Sequence, residues 1–221
     1  MNKITRLIAL TTTLSLTSMA STSALAVDGL SANVAATSNY LWRGVTQTNN
    51  DAAISGGIDY SASSGFYAGV WTSNASWAEN MTYETDIYGG FSGDLGNGFG
   101  YDVGYIYYGY DSDANSDFSE VYANLSYGAF SIGYNTLVDS DADGSFGDDT
   151  YITADAEFEV AKDLSLAFHL GNYDFDAGGD YTDYGVSLSK SGFTLALSDT
   201  DIDGADGDLN ITVSYSIDLD L

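Results

Sequence analysis

The chain of 221 residues has no cysteine and no proline. The first absence excludes disulfides and zinc–thiolate centres. The second leaves no residue that would interrupt a hydrogen-bonded ladder. Bases are scarce as well, with five Lys and Arg against 32 Asp and Glu. Phosphate backbones are held by basic side chains, so nucleic acid is excluded as a partner. Long apolar runs are also missing. Beyond residue 26 no window offers the roughly eighteen uncharged apolar residues of a membrane helix, so a membrane-embedded form of this chain crosses by strands.

At the start, Lys3 and Arg6 precede an apolar stretch (Leu7 to Leu10, then Leu14, Leu16 and Met19) that ends in Ala24-Leu25-Ala26. This reads as a secretory signal with an A-x-A cleavage site. Residues 1–26 are therefore expected to be removed, leaving one domain, 27–221, with export to the bacterial outer membrane. No lipobox cysteine is present, which excludes a lipoprotein. The remainder keeps three bases, Arg43, Lys162 and Lys190, and all 32 acids. Such acidity would suggest disorder in an apolar-poor chain. Here 44% of residues are hydrophobic and 14% aromatic, and the acids gather mostly between the apolar segments.

Those segments alternate with a period of two. The last carries Leu209, Ile211, Val213, Tyr215, Ile217, Leu219 and Leu221, with polar residues between them. The same pattern gives strands around 30–40, 54–60, 66–72, 83–91, 99–107, 121–127, 130–134, 152–160, 164–170, 184–188 and 193–197, a count of about twelve. In the first strand Tyr40 continues the apolar parity of Leu30, Ala32, Val34 and Ala36. In 66–72 both faces hold large apolar groups, and its orientation stays open. Short connections (61–65, 92–98, 128–129, 161–163, 189–192) alternate with long, acidic, glycine-rich ones (43–51, 73–82, 109–117, 136–149, 172–180, 199–208). Short periplasmic turns and long outer loops are the signature of an antiparallel transmembrane β-barrel, with both ends in the periplasm. A soluble β-sandwich would explain the alternation but not the loop lengths.

If the apolar parity faces lipid, Asp59, Glu84, Asp86, Asp102, Glu120, Asp155, Glu157, Glu159 and Asp183 line the lumen. Acids at these positions would concentrate cations and repel anions; the alternative is that the loop acids only solvate the outer face or bind divalent ions bridging lipopolysaccharide. Two loops contain D-x-D-x-D-G, at Asp139, Asp141, Asp143 and at Asp199, Asp201, Asp203. This resembles the start of a calcium loop, but Thr150 and Asn210 occupy the twelfth positions where a bidentate Glu belongs. Weak calcium or magnesium binding competes there with plain acidic turns, and no other cofactor is expected. His169 shares a parity with Ser165, about 13 Å away at strand spacing, too far to activate it. Ser131 or Asn135 on a neighbouring strand stays open as a partner, but an enzyme is the least favoured class. The aromatic residues Tyr40, Trp42, Trp71, Trp77 and Tyr215 are expected in interfacial girdles.

The run Ser38-Asn39-Tyr40-Leu41-Trp42-Arg43-Gly44-Val45-Thr46-Gln47-Thr48 resembles the opening motif of the TorF porin family. Gly65-Phe66-Tyr67-Ala68-Gly69-Val70-Trp71 with Ser73-Asn74, then Glu84, Asp86 and Ile87-Tyr88-Gly89-Gly90, resemble that family's next blocks in order. The resemblance implies an outer-membrane barrel with a pore role, and departs at the terminal Leu221, where an aromatic residue is usual. Arg43 lies in its best-matched motif: it either pairs with lumen acids to set a constriction or seats the first long loop. The expectation is a pore for small cationic or neutral solutes, set in lipid and lipopolysaccharide. The alternative is a closed barrel whose acidic loops bind divalent ions or surface partners.

Overall fold

The structure, a computed structural model, describes residues 27–221 apart from 113–115, 143 and 205–206. The expected signal segment 1–26 and Asp143 of the first acidic run lie outside the described residues.

Every segment of expected alternation contains a strand. The strands are β1 (Leu30–Thr37), β2 (Leu41–Trp42), β3 (Val45–Thr46), β4 (Ala53–Ser61), β5 (Phe66–Asn74), β6 (Tyr83–Gly96) and β7 (Phe99–Tyr110). They continue with β8 (Phe118–Tyr127), β9 (Phe130–Ser140), β10 (Thr150–Ala161), β11 (Leu164–Asp174), β12 (Tyr181–Lys190), β13 (Phe193–Thr200) and β14 (Asn210–Asp220). All except β2 and β3 join one closed antiparallel barrel of twelve strands. The last strand seals it against the first, with Ser31 opposite Asp220 and Ala36 opposite Tyr215. Closure leaves the barrel with no unpaired edge.

The period of two sorts the faces. Ile54, Ile58, Val70, Ile87, Val103, Ile132, Ile152, Leu170, Leu195, Ile211 and Val213 are all exposed on the outside. An apolar surface continuous around a molecule is stable against lipid rather than water. Near the short turns this belt ends in cross-strand aromatic pairs, Phe66–Phe91, Phe99–Tyr127, Phe130–Phe158 and Phe193–Tyr215. The open orientation of 66–72 is settled: Phe66 and Val70 are exposed, whereas Trp71 faces inward and packs edge-on against buried Tyr40.

Two expected boundaries change. The connection expected at 92–98 shrinks to Asn97-Gly98, whose positive φ values of 56° and 87° make a two-residue primed turn that matches strand twist. Ser92, Gly93 and Asp94 stay in the ladder opposite Asp102, Tyr101 and Gly100, with an irregularity before Gly96. Partner strands thus override the local turn preference of Gly and Asp. At the other end, β1 stops at Thr37 and Tyr40 is buried rather than outward-facing. The cause is Asn39, whose side-chain Nδ2 donates to Asn50 Oδ1 (3.0 Å) and Asn210 Oδ1 (3.2 Å) and whose Oδ1 accepts from Thr46 Oγ1 (2.6 Å). These bonds turn the chain off the wall and into the barrel.

Side chains from the long loops cap exposed strand ends. Asp111 accepts from Thr82 N (2.7 Å) and Tyr83 N (2.9 Å), and Asp117 from Tyr110 N (2.8 Å). Asp201 accepts from Thr182 N at 2.6 Å. Within the D-x-D-x-D-G runs, Asp139 belongs to β9 and Asp199 to β13. Among the described residues no three His, Cys, Asp or Glu side chains group as a metal cage.

Candidate functional site in the barrel lumen

The first long loop does not project from the barrel; it folds inward as the hairpin β2–β3, with Trp42 opposite Val45. Its tip is Arg43-Gly44, with φ of 49° and 81°. Arg43 is a non-glycine residue held in the left-handed region, a conformation that costs about 1–2 kcal/mol and persists only where surroundings enforce it. The enforcement is visible at Gly44. A Cβ there would lie 2.6 Å from Thr200 Cγ2 and 2.8 Å from Asp183 Cβ, so the tip is pressed against β12 and β13.

From that tip Arg43 reaches toward β8, where Nη2 stands 2.6 Å from Glu120 Oε2, with side chains only 6% and 1% exposed. Aromatic faces surround the guanidinium: its Cζ lies 4.2 Å from the ring centres of Trp42 and Tyr151 and 4.6 Å from that of Tyr173. Desolvated cation–π contacts of this kind contribute about 2 kcal/mol. Trp42 packs edge-on against Tyr108, Phe118 and Tyr173, and Tyr181 Oη donates to Arg43 O at 3.1 Å. Tyr40 donates from its hydroxyl to Glu84 Oε1 at 3.2 Å. The hairpin therefore touches the wall from β5 round to β13 and narrows the lumen near the long-loop end. The ion pair seats the hairpin against the wall, the second of the two sequence readings of Arg43.

The girdle expectation fails for Tyr40, Trp42 and Trp71, all of which face the lumen. Trp77 and Tyr215 are exposed, pairing with Tyr110 and Phe193 respectively. Three consecutive apolar residues, Tyr40-Leu41-Trp42, break the period of two, and that break is the signal in the sequence that the chain leaves the wall.

Below the hairpin lies a second cluster. His169 Nδ1 is 2.6 Å from Asp155 Oδ1, and its Nε2 is 2.8 Å from Asp183 Oδ1. Tyr151 Oη donates to Asp183 Oδ2 at 2.9 Å and lies 3.1 Å from His169 Nε2. Both ring nitrogens are thus engaged by carboxylates, and neither Ser165, Ser131 nor Asn135 is a partner of the ring. The clamp escaped sequence reasoning because its members come from three strands; only the shared inward parity of Asp155, His169 and Asp183 hinted at it.

Midway down, tyrosines lie flat against the wall over glycines. Tyr88 faces Gly69 and Tyr67 faces Gly90 across the β5–β6 ladder, and Tyr122 faces Gly104 across β7–β8. A Cβ at Gly69 or Gly90 would fall within 2.5 Å of the facing phenol oxygen, so only glycine lets these rings lie along the strands. Their hydroxyls then reach the acids: Tyr67 donates to Asp102 Oδ1 at 2.6 Å and contacts Tyr122, and Tyr88 donates to Asp59. Of the expected lining acids, Glu84, Asp86, Asp102, Glu120, Asp155 and Asp183 are buried. Glu157 and Glu159 are exposed near the short-turn end.

A twelve-stranded closed antiparallel barrel, apolar outside and polar within, is a fold that this chain shares with solved outer-membrane barrels. The structure described as "KdgM porin" shares this fold with a TM-score of 0.58 at 9% identity, covering 86% of this chain and 99% of that one. "KdgM porin in complex with disordered oligogalacturonate" gives a TM-score of 0.54 at 9% identity, with the same coverage. No curated protein matches in sequence. More particularly, the chain belongs to the family described as "Bacterial protein of unknown function (Gcw_chp)", whose model matches residues 21–217.

Proposed function

We propose that the protein is an outer-membrane pore through which small hydrophilic solutes, cationic or neutral, diffuse passively. The short turns face the periplasm and the long acidic loops face outward among lipid and lipopolysaccharide, as in the TorF porins that the motif around Arg43 resembles. One observation carries the reading: a closed barrel with an apolar outer belt encloses a wall of acids and small polar residues, with tyrosines laid against that wall rather than across the lumen. An acid-bearing lumen raises local cation concentration and repels anions. The complexed neighbour takes an oligogalacturonate, an anionic sugar; the excess of acids here favours solutes of the opposite charge. No chemistry is assigned to His169, whose nitrogens both face carboxylates.

A second reading is favoured by the packing of Trp42 among Tyr108, Phe118 and Tyr173. In it the hairpin is a permanent plug, and the barrel serves as a structural or interaction protein whose acidic loops bind divalent ions or envelope partners. Single-channel recording of the refolded protein in a planar bilayer under a potassium chloride gradient separates the two. Discrete steps with a cation-selective reversal potential support the pore. Silence from a folded, heat-modifiable barrel supports the plug.

A further inference from the structure

Glu84 and Asp86 stand apart from every other inward acid. They are two residues apart on the lumen face of β6, about 7 Å along the strand, and are only 0% and 7% exposed. Glu84 Oε1 accepts from Tyr40, but Glu84 Oε2 and Asp86 Oδ1 are buried with no hydrogen-bond partner. The other buried lumen acids have partners of their own: Glu120 has Arg43, Asp155 and Asp183 share His169, and Asp102 has Tyr67, while half-buried Asp59 has Tyr88 and Asn33.

The charge inventory leaves this pair without a counter-ion from the protein. After residue 26 the only bases are Arg43, Lys162 and Lys190. Arg43 is committed to Glu120, while Lys162 lies in the β10–β11 turn and Lys190 ends β12 next to another short turn, at the opposite end of the barrel. Two adjacent buried carboxylates left ionised with no cation are strongly disfavoured, so the pair either shares a proton or takes a counter-ion from solvent.

We propose that Glu84 and Asp86 form a buried cation site in the lumen wall, beside the inward hairpin, that takes calcium. The two free carboxylate oxygens supply a double negative charge. The hydroxyls of Tyr40, of Tyr110 and of Ser73, the last two being cross-strand partners of Glu84, offer further oxygen atoms, with water completing the shell. Hard oxygen donors in an irregular set suit calcium, which accepts six to eight oxygens flexibly; magnesium demands a near-ideal octahedron. Neither sulfur nor imidazole is present to favour a softer metal. The site differs from the acidic runs of the loops and does not depend on whether the lumen conducts.

The test uses terbium, a luminescent calcium surrogate, on the detergent-refolded protein with excitation selective for tryptophan. Trp71, the cross-strand partner of Asp86, is the expected sensitiser. Terbium emission that calcium displaces, that drops in Trp71→Phe, and whose calcium competition weakens at least tenfold in Glu84→Gln/Asp86→Asn supports the site. Emission unchanged in both variants overturns it by assigning the binding elsewhere. Should the double variant fail to fold, the wild-type protein still decides: calcium must raise its heat-unfolding midpoint relative to chelator. No calcium-dependent shift and no displaceable emission would mean that the two acids share a proton instead. Because binding is read in detergent, a protein that conducts without binding calcium overturns this site alone, and one that binds without conducting overturns the pore alone.

Discussion

Arg43 and Glu120 form an ion pair at 2.6 Å across the lumen, one from an inward hairpin and the other from the wall. Removing one member leaves the other buried and unpaired, a loss of about 3–5 kcal/mol. Arg43→Ala is expected to lower the heat-unfolding midpoint on gel-shift assay and to raise single-channel conductance as the hairpin loosens. Arg43→Ala/Glu120→Ala should recover part of the stability while keeping the larger conductance. Equal losses adding in the double variant would show that the pair is uncoupled.

The same displacement should follow from sterics alone. Gly44→Val places a branched side chain where Thr200 Cγ2 and Asp183 Cβ already stand and where φ is 81°. The prediction is a conductance increase matching that of Arg43→Ala with no change in fixed charge. Wild-type conductance in a folded Gly44→Val protein would mean that the tip is not pressed against the wall in the membrane.

These two residues also mark how far the sequence is legible. Strand type and closure are legible, and facing is too along β14 or β10, because each lipid-facing position must be apolar and a period of two records that without knowledge of neighbours; along 66–72, apolar on both faces, facing is not. The inward hairpin was not readable as such. Ser38 to Thr48 stood out as a motif, but its direction is decided by Asn39 bonding to Asn50 and Asn210, the latter 171 positions away. The His169 clamp likewise depends on strand register, which alternation alone does not supply. Among the lining acids, sequence parity identified the face but not the partners, since Tyr67 reaching Asp102 requires Gly90 beneath its ring.

Those glycines make a prediction about bore. Gly104→Val is expected to lift the Tyr122 ring off the wall and into the lumen, lowering conductance; Gly104→Val/Tyr122→Ala should restore it. The paired recordings distinguish a flattened ring from a general folding defect, because a folding defect would not be relieved by deleting the tyrosine.

Asp111 gives a pH dependence outside the membrane-spanning strands. Hydrogen bonds from the Thr82 hydroxyl and from the Thr82 and Tyr83 amides hold its carboxyl below the ordinary range. A lowered folded-state pKa means the stabilisation is complete above the unfolded value and is lost as pH falls through the folded one. Amide exchange at Thr82 and Tyr83, corrected for intrinsic rate, should therefore accelerate below about pH 4. Asp111→Asn should make it fast and pH-independent. A pH response persisting in that variant would assign the cap to another group.

Glu157 and Glu159 differ from the other lining acids in being exposed, near the short-turn end of the lumen. Exposed carboxylates act through the local potential that solutes meet, whereas Glu120 is paired with the Arg43 guanidinium and Asp102 is buried beneath the Tyr67 hydroxyl. If cation preference is set at this mouth, Glu157→Gln/Glu159→Gln shifts the reversal potential toward zero and raises anion permeability, while Asp102→Asn changes it little. The shift should shrink as salt rises, since screening at about 1 M shortens the reach of a charge to roughly 3 Å. An unchanged reversal potential in the double variant, with a large change in Asp102→Asn, would move the selectivity filter up to the buried tyrosine–acid network and away from the mouth.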